Sequence, residues 1–136
     1  MNNPVLYMQS PDEVETVFYE AFMRTDYDVM KAVWAEGNVV CVHPGSGVIL
    51  GHEAVTRSWK HILENSQPSE IRYTLTNKNV TNDMAVHIVT EEIMDAGEVV
   101  ALVIATNVYQ KFAQGWLMIE HHGSVIQQQR RGETLQ

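Results

Sequence analysis

Between Trp116 and Ser124 an apolar run (Trp116, Leu117, Met118, Ile119) leads straight into Glu120, His121, His122 and Ser124. Imidazole titrates near neutrality and serves as acid, base, ligand or hydrogen-bond donor. The stretch therefore marks a place for proton chemistry without choosing a reaction. Strict alternation along a strand puts Trp116, Met118, Glu120, His122 and Ser124 on one face and Leu117, Ile119 and His121 on the other. His122, on the side of Trp116 and Met118, is the expected cavity histidine, and His121 the structural or outward one. A further imidazole, His43, closes the apolar run 39–42 just before Pro44, Gly45, Ser46 and Gly47. It either lines a pocket or bonds backbone at a strand end. His122 and His43 are thus the candidate catalytic residues.

Asn107 is a lone amide amid apolar neighbours, and a buried amide needs partners, so it is a core bridge or a ligand contact. Trp34, Trp59 and Trp116 read first as core aromatics, a role compatible with lining a pocket. Glu91 and Glu92 point to opposite sides of a strand; one is solvated and the other pairs with Arg57, Arg72 or a histidine. The six histidines lack the His-x-x-x-His spacing, and no Cys-x-x-Cys is present, so neither a metal nor a cofactor is expected. Gly45-Ser46-Gly47 lacks the lysine and following helix of a phosphate loop and does not form a nucleophile elbow. Cys41, within an apolar strand, reads as a small buried side chain.

The elements that must position these groups are set by punctuation and period. Ser10 caps a first helix, with Pro11 in its first turn and Glu13 as the capping-box partner; Val14, Val17, Phe18, Ala21 and Phe22 form its buried stripe. A second helix is expected over 26–35 and a third over 51–65, the latter burying Val55, Ser58, Trp59, Ile62 and Leu63. From residue 70 the period changes to two, giving strands at 70–80, 84–94, 98–111 and 116–126 joined by short hairpins. Pairing Phe112 with Trp116 sets Asn107 opposite His121 and Thr106 opposite His122, and the register decides which of Asn107 and Thr106 looks inward. Helices first and strands afterwards define an α+β domain, three helices packed on a curved, mostly antiparallel sheet. Residues 1–9 form an N-terminal extension, 10–126 one domain and 127–136 a flexible polar tail.

A chain of 136 residues buries one substantial core. The net charge of −8, without a basic cluster beyond Arg130-Arg131, excludes a nucleic-acid backbone as partner. The longest apolar run, 99–105, is far short of the roughly 20 residues of a membrane span, and the start lacks the pattern of a secretory signal. With a single cysteine these features place the protein in a reducing cytoplasm, where the sequon at Asn79 is an accidental match. Strands apolar on both faces, with helices enough for one, predict a homodimer through the outer sheet face.

Several strings together carry a resemblance: Val33-Trp34-Ala35-Glu36; Cys41-Val42-His43-Pro44-Gly45; Leu50-Gly51-His52-Glu53-Ala54-Val55 leading to Ser58-Trp59; Met84-Ala85-Val86 with Glu91; Ala105-Thr106-Asn107-Val108-Tyr109; and the closing run to His121-His122-Gly123-Ser124. In order and spacing, over about 10–124, the chain resembles the SnoaL-like, ketosteroid-isomerase-like branch of the nuclear transport factor 2-like superfamily. The resemblance implies a cone-shaped domain. Its relatives include steroid isomerases, polyketide cyclases, dehydratases, dioxygenase subunits and the association domain of calmodulin-dependent kinases, so fold alone does not choose function. The isomerase pattern uses an aspartate base, whereas the first strand here offers Val39, Cys41 and His43. Two functions stand as expectations. One is a small-molecule-binding protein with acid/base chemistry of isomerase, cyclase or dehydratase type on an apolar cyclic compound. The other is a non-catalytic dimerisation or association module, which the Trp and His-Ser ending also resembles.

Overall fold

In the computed structural model, which describes residues 6–128, Ser10 caps helix α1 (Pro11–Arg24) by accepting a hydrogen bond from Glu13 N at 3.1 Å. The Glu13 carboxylate reaches back to Gln9 N. The buried stripe is rotated from the expected one: Val14, Phe18 and Ala21 are buried as anticipated, but Glu15 and Tyr19 join them while Val17 and Phe22 are half-buried. Thr25 ends the helix in the left-handed region, φ 54°. Asp26 then caps α2 (Tyr27–Val33) through Val29 N. This helix stops two residues before the expected Ala35, because Trp34 turns extended and bridges to Met118, with Ala35 N bonding Met118 O at 2.9 Å.

The chain continues through β1 (Val40–Val42), the short β2 (Ile49–Leu50) not anticipated from sequence, α3 (His52–Glu64), and then β3 (Glu70–Val80), β4 (Met84–Asp95), β5 (Glu98–Phe112) and β6 (Gly115–Gln128). Here β6 runs to Gln128, while 1–5 and the remainder of the expected tail, 129–136, lie outside the described residues. The six strands form one open sheet in the order β2-β1-β6-β5-β4-β3, antiparallel except for the β1–β6 pair. The parallel pair exists because the segment 43–114 lies between its strands and returns through the whole meander. Three helices on a mostly antiparallel sheet make the α+β domain the sequence predicted.

One face of the sheet meets the helices. Alternate residues Ala85, His87, Val89 and Glu91 on β4, and Val103, Ala105, Asn107 and Tyr109 on β5, are buried there against Phe18, Tyr19 and Trp59. Each fully buried large apolar side chain contributes about 1.5–3 kcal/mol, and the T-shaped contact of Phe18 with Trp59, centroids 5.4 Å apart, ties α1 to α3. The tight β5–β6 hairpin pairs Phe112 with Gly115. Gly115 sits at φ 104°, and a Cβ there would lie 2.7 Å from Met8 O, so the hairpin and the strap before α1 require glycine at this position.

Candidate functional site

The register of β6 changes midway. Tyr109 pairs with Met118 but Val108 pairs with Glu120, so Ile119 is an extra residue, a β-bulge. A bulge reverses the parity of the residues beyond it. Trp116 and Met118 face the core before it, and His121, not His122, faces the core after it. The expected placement of His122 in the cavity is thereby corrected: its side chain is exposed on the outer sheet face, opposite Thr106. The expected pairs Asn107–His121 and Thr106–His122 are nevertheless present, because the hairpin is one residue tighter than supposed and the bulge restores the difference.

Parallel pairing sets Cys41 beside His121, and two residues further along the same strand face comes His43. Gly123 allows this turn to close on β6, since a Cβ there would meet Pro44 Cγ at 3.2 Å. His121 from β6, Glu91 from β4 and His43, the residue just past β1, thus reach a cavity of about 260 Å³ whose walls are otherwise mainly apolar: Phe22, Trp59, Ile62, Ile71, Ile93 and Val103. Of the residues expected from the sequence to be catalytic or to line the pocket, His43 and Trp59 line this space. Asn107 lies behind it, fully buried. Trp34 and Trp116 do not line it: Trp34 is a core side chain beside β6 whose indole N–H has no partner among the described residues, and Trp116 is buried with its backbone N bonded to Met8 O.

Behind the cavity runs a chain of buried hydrogen bonds. His121 Nδ1 lies 2.5 Å from Asn107 Oδ1, Asn107 Nδ2 donates to the Tyr19 hydroxyl at 3.1 Å, and Tyr19 donates to Glu91 Oε2 at 2.5 Å. An amide oxygen only accepts, so His121 carries its hydrogen on Nδ1 and Nε2 keeps a lone pair. Burial, with the nearby His43 and His122, holds the His121 pKa down to about 3, so this imidazole is neutral at neutral pH. Burial pushes Glu91 the other way, to about 7; the bond from Tyr19 opposes the rise and the charge of Glu15 adds to it. Such a carboxyl exchanges its proton readily near neutral pH. The Tyr19 hydroxyl is held well above the usual phenol range, chiefly by burial and then by the neighbouring Glu91 charge, and stays protonated.

His43 stands edge-on to Trp59, centroids 4.9 Å apart, with Nε2 3.0 Å from Ser58 Oγ. Ser58 donates to Val55 O, so its oxygen accepts from His43 Nε2. Burial lowers the His43 pKa, and it too is neutral. Burial raises the Cys41 thiol to about 12, which leaves it without thiolate character. A second cluster lies deeper: His87 Nδ1 and the Tyr109 hydroxyl both donate to Glu15 Oε2, each at 2.8 Å. Among the described residues no group of three or more His, Cys, Asp or Glu is arranged to hold a metal ion.

The sequence pointed to neither Tyr19 nor Glu15, and it left Glu91 with other partners. Arg72 lies opposite Glu92 and bonds Glu70, and Arg57 pairs with Glu53, so the anticipated arginine partners are engaged elsewhere. A signal was present: on β4 the alternation that buries Ala85 and Val89 also buries His87 and Glu91. Glu15 and Tyr19 are one helical turn apart, beside the apolar stripe of α1.

The profile of the SnoaL-like domain matches residues 12–128, and the chain belongs to that family, within the nuclear transport factor 2-like superfamily. Among solved structures, it is 31% identical to a protein of Thiobacillus denitrificans provisionally described as a calcium/calmodulin-dependent protein kinase type II association domain (91% of this chain and 99% of that one, TM-score 0.84). It is 35% identical to a protein of Streptomyces avermitilis provisionally described as a dehydratase of the NTF2-like family (84% and 91%, TM-score 0.72). A protein of Parabacteroides distasonis provisionally described as a ketosteroid isomerase shares the fold at 18% identity (89% and 96%, TM-score 0.71). No curated protein matches the sequence.

Proposed function

We propose that the protein binds a small, uncharged, largely apolar cyclic compound and moves a proton on it, in a reaction of the dehydratase or isomerase type. The observation that carries this reading is the convergence of Glu91, His121 and His43 on one apolar cavity. With both imidazoles neutral the cavity offers no fixed positive charge to a carboxylate or phosphate, whereas a carbonyl or hydroxyl on a hydrocarbon frame suits it. Glu91 removes or returns a carbon-bound proton, and the His121 Nε2 lone pair takes the second proton-transfer position. Each positioned group contributes about 10²–10⁴-fold to rate. The dehydratase-described relative supports this class. So does the cone shape expected of the family, which would set the cavity at the open end of the sheet, and a free buried cysteine suits a reducing cytoplasm.

The test is incubation with cyclic ketones and β-hydroxy ketones in D₂O, followed by NMR for carbon-bound hydrogen exchange and loss of water. Exchange that falls about 10²–10⁴-fold in Glu91→Gln supports the reading. Absence of both binding and exchange in the wild type across the panel would sink it.

We also propose self-association through the outer sheet face, where Ile104 is 38% exposed among half-buried Val86, Ile88, Leu102 and Val108. The relative described as an association domain favours this second reading, which is compatible with the first. A monomer mass by light scattering at micromolar concentration would refute it.

A further inference from the structure

The hydrogen-bond chain from Glu91 to His121 has a direction, and that direction depends on a single proton. An ionised Glu91 only accepts, so Tyr19 must donate to it, Asn107 Nδ2 must donate to Tyr19, and Asn107 Oδ1 then faces His121. This is the arrangement present, with the His121 hydrogen on Nδ1. A protonated Glu91 can donate to Tyr19 instead. The Tyr19 hydroxyl then turns toward Asn107, the amide makes a half-turn that exchanges oxygen for nitrogen at the same places, and its Nδ2 donates to His121 Nδ1. All three bonds are kept, but the His121 hydrogen must now sit on Nε2.

We propose that the Asn107–Tyr19 link lets the protonation of Glu91 select which ring nitrogen of His121 carries hydrogen, making Asn107 and Tyr19 positioning residues that set whether His121 meets a ligand as base or as hydrogen donor. The proton count is simple: Glu91 takes up one proton, the imidazole gives up its Nδ1 hydrogen and gains one on Nε2 by exchange with solvent, and the rest are rotations. The two proton-transfer groups therefore change roles together. When Glu91 is a base, so is Nε2; once Glu91 has taken a proton, Nε2 becomes a donor suited to a departing hydroxyl.

The surroundings permit the exchange. Around Glu91 stand Tyr19 and Glu15 from α1, Tyr73 paired opposite on β3 and Val103 opposite on β5, with Asn107 one bond further on through Tyr19 and Tyr109 reached only through Glu15. His43 and His122 are the charged-capable neighbours of His121, and His87 and Glu92 are the other titratable groups on this part of β4. Since the His121 pKa is held near 3, the ring stays neutral while Glu91, near 7, changes charge, so only the tautomer responds.

The role change extends the acid/base reading, but its test uses the full chain without any ligand. Imidazole ¹⁵N signals of His121 and the carboxyl ¹³C signal of Glu91 are followed from about pH 5 to about pH 9. The expected result is a shift of the His121 hydrogen from Nδ1 to Nε2 as pH falls, with the midpoint of Glu91. In Glu91→Gln the tautomer ratio no longer varies with pH, and in Tyr19→Phe Glu91 titrates without a response from His121. A fixed His121 tautomer while Glu91 titrates overturns the proposal, as does a switch that survives in Glu91→Gln or a Glu91 that keeps one charge throughout. Should Tyr19→Phe fail to fold, wild type and Glu91→Gln decide. A tautomer switch in a protein that exchanges no ligand proton would leave this inference standing and remove only the acid/base reading.

Discussion

Two buried clusters in one core are built from the same three side-chain types. Glu91, Tyr19 and His121, joined through Asn107, border the cavity; Glu15, Tyr109 and His87 are packed deeper, the latter two fully buried. In the closed cluster two donors converge on one carboxylate oxygen, a geometry that satisfies and immobilises the charge. In the open cluster the bonds run in series and end at an imidazole that lines the cavity, whereas the second nitrogen of His87 is buried with no hydrogen-bond partner among the described residues. Composition does not separate a scaffold from a site here. Access to empty space and the connectivity of the hydrogen bonds do.

The sharpest way to break this comparison is Glu15→Ala. It leaves the His87 and Tyr109 donors buried without an acceptor and is expected to cost about 3–5 kcal/mol in urea denaturation; a cost below about 1 kcal/mol would deny the closed cluster its structural role. Glu91→Gln is expected to do the reverse. It lowers proton exchange on a bound ketone about 10²–10⁴-fold, while the urea midpoint at about pH 8 does not fall, because the substitution removes a buried charge.

The stability profile sharpens the comparison further. The pKa of Glu91 is raised from 4.5 to about 7, so its contribution is fully present below 4.5 and is lost as pH rises through 7. His121 is depressed from 6.5 to about 3, so its contribution is present above 6.5 and is lost as pH falls toward 3. Between 4.5 and 6.5 the two slopes oppose, each about 1.4 kcal/mol per pH unit, with His43 adding to the histidine side. Wild-type stability should therefore rise with pH less steeply there than that of Glu91→Gln; equal curves for the two proteins would remove Glu91 as the opposing group. The smallest effect belongs to His122→Ala, within about 0.5 kcal/mol and without change in ligand binding, because the side chain is solvent-exposed. A larger loss of binding would reassign the cavity.

Much of the fold was legible because its signals are local: the Ser10 cap, the start of the third helix at Gly51, and the change of period near residue 70. The site was legible as a place, through His43, Trp59 and the β6 histidines, and less so as a set of atoms. Glu91 and Tyr19 meet across 72 residues of sequence, and no periodicity encodes that contact. The choice between His121 and His122 rests on one inserted residue, which alternation cannot register because an extra position in a strand changes no residue type.

That extra residue also governs how this chain is to be lined up with its kin. Counted from the hairpin, the residue that meets the cavity is the sixth after Gly115, and only because Ile119 is left out of the ladder. A homologue with the same letters but an unbroken ladder here presents the counterpart of His122 to the cavity instead. Equivalent chemistry has to be counted from the bulge, and two proteins can share the string and differ in the side chain that does the work.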